Sequence, residues 1–431
     1  MMRKALIAVL VLGMAVSLTT TVRAEVQNVR LGGDIRIRGY YAKNLNTVDS
    51  TEDKDDFYLR QLSRISAEAD LTDQVWAVAT VEADGVWGQQ VVNNLGWKEA
   101  NDWDVDLAEA YIQLGEMYYS PISLKLGRQY LNYGNGFLIS NREWFYKFDA
   151  ARIVAEADNW TIDLIYSRLV ESDTFNGDPD GGDDEDLFGL NLSYMEDLWT
   201  VEGYVFGIRD AWEEDAGDAK NAPIAVGMRF DASPLQSFDI WAEGVYEFGT
   251  YQEVGADEMD YQAFGLDVGA VYVFDVAWEP ALSVAYTFAS GGKADEDDQK
   301  NFYPFYNYNY YGYAYSPYLS NIGILNAQLS FLPSEDVTLI GSFYYYTQAE
   351  ELAMQMGDPN QDNGGVMAMT NGDEKDLGME FDAIIEYDYT EDVSGQLIGA
   401  WFKPGDAYEV AGNDNSPDDV FELRAEVFLS F

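Results

Sequence analysis

The chain has 431 residues with neither cysteine nor histidine, and 76 Asp and Glu against 25 Lys and Arg give a net charge of −51. The missing residue types exclude disulfide frameworks, cysteine-based metal centres, and Ser-His-Asp or Cys-His catalysis. The negative charge argues against nucleic-acid binding, which needs basic residues to neutralise phosphates. Disorder does not account for the acidity, because 47% of the residues are apolar and 15% are aromatic.

The first predicted element is a cleaved signal peptide over residues 1–24. Arg3 and Lys4 precede an apolar stretch from Ala5 to Leu18, and the segment ends in the small-residue cleavage pattern at Ala24. No later segment approaches 18 uninterrupted apolar residues, which argues against a helical membrane protein. Residues 25–431 are therefore predicted to form one exported domain.

The exported domain alternates with period two. Apolar and basic residues alternate from Ile35 to Arg38, and apolar residues occupy every second position from Phe421 to Phe431. In that last stretch Phe428 is the one exception among the polar positions. Because successive strand side chains point to opposite faces, these segments are predicted to be strands with one apolar and one polar face.

Eighteen such segments follow one another, and the connections between them alternate in length. Their approximate spans are 30–42, 57–71, 75–86, 104–114, 121–131, 147–157, 160–170, 186–195, 199–209, 222–231, 238–250, 259–274, 280–290, 318–331, 337–348, 374–389, 395–403 and 419–431. Connections are short after even-numbered segments, and long and acidic after odd-numbered ones. This pattern predicts an all-β transmembrane antiparallel barrel of about 18 strands, with short periplasmic turns and long acidic extracellular loops, in the outer membrane of a Gram-negative bacterium. A soluble β-sandwich, β-helix or propeller would not require that alternation.

Several short patches resemble a known family. They are Leu124-Lys125-Leu126-Gly127-Arg128-Gln129, Tyr133-Gly134, Trp144, Phe148-Asp149 and Arg152. Together they are similar to the core motif of the alginate-export family of bacterial outer-membrane β-barrel proteins. The resemblance implies an eighteen-strand barrel with a narrow, arginine-containing pore. Ala150 stands where that family usually has glycine, and the polar strand face is more acidic than an anion pore suggests.

The candidate pore-lining residues are arginines on the polar strand face. They are Arg36, Arg38, Arg60, Arg64 and Arg152, to which the family motif adds Arg128. The face of Arg128 stays open, since a bulge near Gly127 could reverse it. Two interpretations remain for the whole set. The arginines either form salt bridges that keep the lumen hydrated and rigid, or form charged rings that select the solute.

Two loops carry further candidate sites. Asp358, Asn360 and Asp362 alternate before a glycine as oxygen ligands do in calcium loops, although the sequence also suits a solvated turn. No other cofactor is expected. Residues 301–318 contain eight tyrosines and almost no charge. Their rings are suited either to stacking on sugars or to folding inward as a plug, and the sequence does not decide between them.

The predicted function is that of a channel, not an enzyme. It would pass a hydrophilic, anionic saccharide or polysaccharide passively through an arginine-containing lumen. The alternative is an adhesion or structural barrel whose acidic, calcium-binding loops are the functional part. The expected partners are outer-membrane lipid, the anionic saccharide, and the outer-membrane assembly machinery, which would recognise the terminal Phe431.

Overall fold

The structure is a computed structural model, and only part of the chain is described. The described residues are 27–44, 55–88, 103–171, 184–210, 220–252, 257–293, 297–307, 309, 311–352, 354–355, 368–409 and 418–431. The predicted signal peptide, residues 1–24, lies outside them. None of the helices in these ranges is long and apolar enough to cross a membrane.

Eighteen long strands form the frame of the described residues. They are β1 Asn28–Lys43, β2 Asp55–Thr72, β3 Val75–Val86, β4 Trp103–Leu114, β5 Ile122–Gln129, β6 Phe148–Ala157, β7 Trp160–Val170, β8 Glu185–Glu196, β9 Trp199–Asp210, β10 Lys220–Leu235, β11 Phe238–Gln252, β12 Ala263–Val273, β13 Ala281–Ala289, β14 Ile322–Ser334, β15 Val337–Gln348, β16 Asp376–Asp388, β17 Val393–Pro404 and β18 Val420–Ser430. Two-residue and three-residue strands at 259–261, 298–299, 354–355 and 368–369 decorate the loops.

Each strand pairs antiparallel with the next, and β1 pairs with β18 from Asp34↔Ser430 to Lys43↔Phe421, so the sheet closes into a barrel. The predicted eighteen-strand antiparallel barrel is confirmed. Connections after even-numbered strands span at most seven residues, and those after odd-numbered strands span nine or more. We call the two ends of the barrel the short-turn end and the long-loop end.

The seam between the first and last strands is tightly packed. Gly33 and Phe431 exchange two backbone hydrogen bonds of 3.0 Å. A Cβ at Gly33 would lie 2.4 Å from the carbonyl oxygen of Arg64 and 2.8 Å from the Phe431 ring. Only glycine therefore fits at this point of the seam. Recognition of Phe431 by the assembly machinery stays a prediction.

The two faces of the barrel differ as the period-two pattern predicts. On β7, Leu164 and Tyr166 are 48% and 46% exposed, whereas Ile165 and Ser167 are 5% and 0% exposed. The exposed set points outward and is mainly large and apolar, as expected of a membrane-facing surface. Ile165 and Ser167 point inward and are buried because other parts of the chain fold into the lumen at this level.

Two long loops fill that lumen. We call residues 130–147 the first inward loop and the described residues of 290–321 the second inward loop. Their apolar side chains pack in one cluster with inward-facing strand residues, so the main core lies inside the barrel. The end of the predicted segment 121–131 and the start of the predicted segment 318–331 belong to these loops and not to strands. The strands end at Gln129 and begin at Ile322, where the chain turns inward.

Candidate pore-lining site

The two inward loops bind one another inside the barrel. The Tyr306 N–H donates to the Leu138 carbonyl at 2.8 Å, and the Ser140 N–H donates to the Tyr306 carbonyl at 3.0 Å. The Phe137 and Phe302 rings pack with their centroids 5.5 Å apart. The loops thus form a single body, which we call the plug.

The plug is anchored to one side of the barrel by glutamates. Glu202 on β9 accepts the Gly134 N–H at 2.8 Å, and Glu243 on β11 accepts the Asn135 N–H at 3.0 Å. Gly134 has a φ of +58°, and a Cβ there would lie 2.2 Å from a Glu243 carboxylate oxygen. The Tyr-Gly pair of the family motif is therefore explained by a close approach of the plug backbone to this wall.

The second inward loop is anchored in the same way. Glu247 on β11 accepts the Tyr303 N–H at 2.9 Å. Glu380 on β16, fully buried, accepts three consecutive N–H groups, from Tyr313 at 2.6 Å, Ala314 at 2.8 Å and Tyr315 at 2.7 Å. We call Glu202, Glu243, Glu247 and Glu380 the acidic wall. Its carboxylates satisfy backbone groups that would otherwise be buried without partners.

The tyrosine-rich loop uses its rings within the plug. Tyr315 is completely buried, stacks on Phe402 with ring centroids 4.3 Å apart, and bonds the Tyr408 hydroxyl at 3.0 Å. Burial raises the pKa of Tyr303 to about 12, so this loop tyrosine stays neutral at physiological pH. Of the two alternatives left open by the sequence, inward folding is the one observed.

A cluster of arginines lies on β18, β1 and β2, across the barrel from Glu202, Glu243 and Glu247 and two strands from Glu380. We call this cluster the basic wall: Arg36 and Arg38 on β1, Arg60 and Arg64 on β2, and Arg424 on β18. Arg38 stands directly opposite Arg60 in the β1–β2 register. Like charges at opposed positions are destabilising, so ordinary sheet pairing does not favour this arrangement.

Carboxylates offset much of that repulsion. Pairs that the structure shows among the described residues include Arg64–Asp34 at 2.6 Å, Arg60–Asp84 at 2.5 Å, Arg424–Glu422 at 2.8 Å, and Arg38–Glu426. Salt bridges therefore hold at least Arg38, Arg60, Arg64 and Arg424 within the described residues. This pairing does not exclude a role in selection, because a paired guanidinium retains further N–H donors.

Trp144 connects the plug to the basic wall. Its ring centroid lies 3.4 Å from the guanidinium carbon of Arg64 and 4.9 Å from that of Arg36. Both distances fall within the range of cation–π attraction. Phe428, the exception to the alternation of the last strand, stacks on Trp144 with centroids 6.5 Å apart. An apolar residue on the polar face is thus explained by a ring on the plug.

Arg152 lies apart from the basic wall. It binds Asp163 on β7 at 2.5 Å, and Asp163 also accepts the Tyr133 hydroxyl at 2.9 Å. Since Tyr133 belongs to the first inward loop, Arg152 supports the plug through this carboxylate.

Arg128 belongs to the outer face by backbone register, and its guanidinium also reaches Asp106 at 3.4 Å, a carboxylate that binds Lys147 of the first inward loop. The β5–β6 register is continuous, and it sets Gly127 opposite Ala150 and Gln129 opposite Phe148. Ala150, Gln129 and Phe148 are buried on the inner face, so the intervening pair Arg128↔Asp149 belongs to the outer face. The two side chains bond at 2.9 Å. Arg128, a candidate taken from the family motif, is therefore corrected to a residue of the outer rim.

One sequence prediction is not tested by the described residues, and one lumen arginine was not predicted. Asp358, Asn360 and Asp362 fall outside the described residues, so the calcium hypothesis stays a prediction. Arg424 was missed, although it lies on the polar face of the last strand. Its inclusion depends on barrel closure, which brings β18 beside β1 and sets Arg424 opposite Tyr40.

The fold and the lumen together define a porin-like barrel, and solved structures share its architecture. OccAB1 of Acinetobacter baumannii matches with 12% identity and a TM-score of 0.57, over 96% of this chain and 100% of that one. OprD of Pseudomonas aeruginosa matches with 13% identity and a TM-score of 0.53, over 95% and 97% of the two chains. Such low identities show the fold alone.

Sequence comparison supplies the family. The family model described as alginate export matches residues 27–421, nearly the whole chain. The protein belongs to the alginate export family, which confirms the resemblance of its short motifs. No curated protein matches the sequence.

Proposed function

We propose that the protein is an outer-membrane channel of Gram-negative bacteria that passes a hydrophilic, anionic saccharide or polysaccharide along the basic wall. Family membership and the porin-like barrel support a channel. The arginines support the sign of the solute, because guanidinium groups bind carboxylates in a planar, two-pronged geometry and stay charged.

The observation that carries the proposal is the opposed pair Arg38↔Arg60. An arrangement that costs stability in a sheet is expected where a function needs the charge. The net charge of −51 does not contradict anion passage. Exposed loop charges are screened beyond about 8 Å at physiological salt, whereas charges in a narrow lumen are screened much less.

Polymer passage requires the plug to move. Arg36, which lies beside Trp144 of the plug, is 7% exposed and Arg38 is 6% exposed, so the lumen is narrow at the basic wall. Arg60 is the most accessible arginine of the wall, with 31% of its side chain exposed. Several weak sites in succession would let a polyanion enter without holding it.

Planar-bilayer recording tests the proposal. With the mature protein under a salt gradient, we expect a reversal potential that shows weak anion preference, and block by a polyuronate. Replacing Arg36 and Arg64 together with alanine should remove that preference, while the outward Arg128→Ala leaves it unchanged. Strong cation selectivity that the double variant does not alter would contradict anion passage. A folded barrel with no conductance would favour the adhesion alternative.

A further inference from the structure

The outer face of the barrel carries a row of charges at the long-loop end. Adjacent strands β5 to β9 place five residues side by side in the register Arg128↔Asp149↔Arg168↔Asp186↔Arg209. The signs alternate along all five strands. We call these residues the ionic row.

The ionic row stands directly beyond the apolar surface. The next outward positions toward the short-turn end are Leu126, Ala151, Tyr166, Phe188 and Gly207, in the same register. Leu126, Tyr166 and Phe188 are 42%, 46% and 41% exposed. The row therefore lies where the membrane-facing band ends, at headgroup level, where charged side chains cost little.

The rim is different on the other side of the barrel. There the outward positions at the long-loop end carry aromatic rings, among them Trp401, which stacks between Phe381 and Phe421 at centroid distances of 5.8 and 6.4 Å. Rings of this kind are the usual interfacial girdle of such barrels. The ionic row is thus a local departure from that girdle and calls for its own explanation.

The arginines of the row keep part of their surface open. The Arg209 side chain is 62% exposed and bonds Asp186, and the Arg128 side chain is 32% exposed. Arg168 is held by Asp186 at 2.8 Å and by Glu171 at 2.7 Å. Asp149 and Glu171 are themselves 56% and 67% exposed. The surface therefore offers both guanidinium donors and carboxylate acceptors to whatever lies against it.

We propose that the ionic row binds the phosphorylated headgroup of an outer-leaflet glycolipid together with its divalent counter-ions. The arginines donate to phosphate oxygens, for which their planar fork is suited. The exposed carboxylates take the hard divalent cations that accompany such phosphates. This proposal goes beyond the channel function and depends on the outer-membrane location alone.

A second copy of the chain fits the surface less well. A two-fold axis along the membrane normal would set Arg128 against the partner's Arg209, and Arg168 against the partner's Arg168. The order of signs reads the same from both ends, so every contact would join like charges. Lipid phosphates with divalent cations between them can place an opposite charge against each residue of the ionic row.

The test is a lipid-binding titration of the mature barrel in detergent, with purified lipopolysaccharide as the probe and native mass spectrometry as the readout. The double variant Arg128→Gln/Arg209→Gln should weaken binding by about tenfold, the equivalent of one lost charge-assisted contact. Lipopolysaccharide stripped of its phosphates, and samples treated with a chelator, should bind the unchanged protein more weakly as well.

Arg30→Gln is the matched control. Arg30 is an exposed arginine on the lumen side of β1 at the short-turn end, away from the membrane-facing surface, and is likewise paired with carboxylates, those of Glu68 and Asp70. The Arg30→Gln variant should bind lipopolysaccharide as tightly as the unchanged protein does. The mobility of unboiled samples on an SDS gel should show that every variant is folded. Equal affinity of the double variant and the unchanged protein would overturn the proposal. So would equal weakening by Arg30→Gln, or a loss of dimers without a loss of lipid.

Discussion

The glutamates of the acidic wall and the arginines of the basic wall meet the plug in different ways. On the acidic wall, Glu380 gives both carboxylate oxygens to backbone N–H groups of the plug. On the basic wall, Arg64 meets the plug through the face of Trp144 and keeps a carboxylate partner of its own. The comparison teaches that the glutamates hold the plug through its backbone N–H groups, whereas the arginines meet it through an aromatic ring and retain carboxylate partners of their own.

The difference also accounts for the acidity of the inner strand face. A glutamate that accepts buried N–H groups replaces the water those groups would need, and charge-assisted bonds of this type are strong. Glu243, Glu247 and Glu380 are at most 1% exposed, so a solute in the lumen does not contact their carboxylates directly. The solute is expected to meet the arginines more than the glutamates.

Loss of the Glu380 carboxylate should have the largest effect of the changes considered. Glu380→Ala leaves three plug N–H groups without acceptors, at a cost on the order of 3 kcal/mol. We expect a lower thermal midpoint, faster proteolysis of the second inward loop and a severalfold rise in conductance. Single-channel recording and limited proteolysis measure these changes.

Two variants on the same strand sharpen that result. Glu380→Gln keeps one acceptor oxygen and should fall between the unchanged protein and Glu380→Ala. Asp382 lies two residues after Glu380 on β16 and also points inward. Its carboxylate makes no hydrogen bond to the plug within the described residues, so Asp382→Asn should not release the plug. Conductance that rises equally in Asp382→Asn and Glu380→Ala would show that charge, not anchoring, sets the opening.

The barrel itself could be predicted from the sequence, because its determinants are local. Period-two alternation fixes the strands, and connection lengths fix their order around the barrel. Strand ends near the plug could not be predicted this way. Leu131 and Leu319 continue an apolar pattern, yet they pack inside the lumen beyond the ends of their strands.

The candidate site was predictable only in part. Arg36, Arg38, Arg60 and Arg64 follow from alternation within β1 and β2. The roles of Trp144 and Arg424 depend on contacts between distant parts of the chain, namely plug to wall and last strand to first. The face on which Arg128 lies depends on the strand register, and a bulge at Gly127 could have reversed that face. The motif alone therefore did not determine it.

An intermediate effect is expected where the plug meets the basic wall. Trp144→Ala removes the ring over Arg64 and Arg36, at a cost of about 1–2 kcal/mol for partly desolvated cation–π contacts. The uncovered guanidinium groups should shift the reversal potential toward stronger anion preference. Trp144→Phe keeps an aromatic face and should retain most of the original behaviour. Identical reversal potentials for the alanine variant and the unchanged protein would mean that Trp144 does not shield the arginines.

The smallest effect on stability is expected at the opposed pair Arg38↔Arg60. Arg60→Gln removes a partly exposed ion pair with Asp84, worth about 0–1 kcal/mol. It also relieves the repulsion with Arg38, which is of similar size at about 0.2–1 kcal/mol. Because the two terms oppose each other, the thermal midpoint should hardly change, while the reversal potential should move toward cations. Arg60→Lys keeps the charge and should preserve the selectivity. A loss of stability in Arg60→Gln as large as that in Glu380→Ala would show that the basic wall, like the acidic wall, holds the plug in place, and the distinction between the two walls would fail.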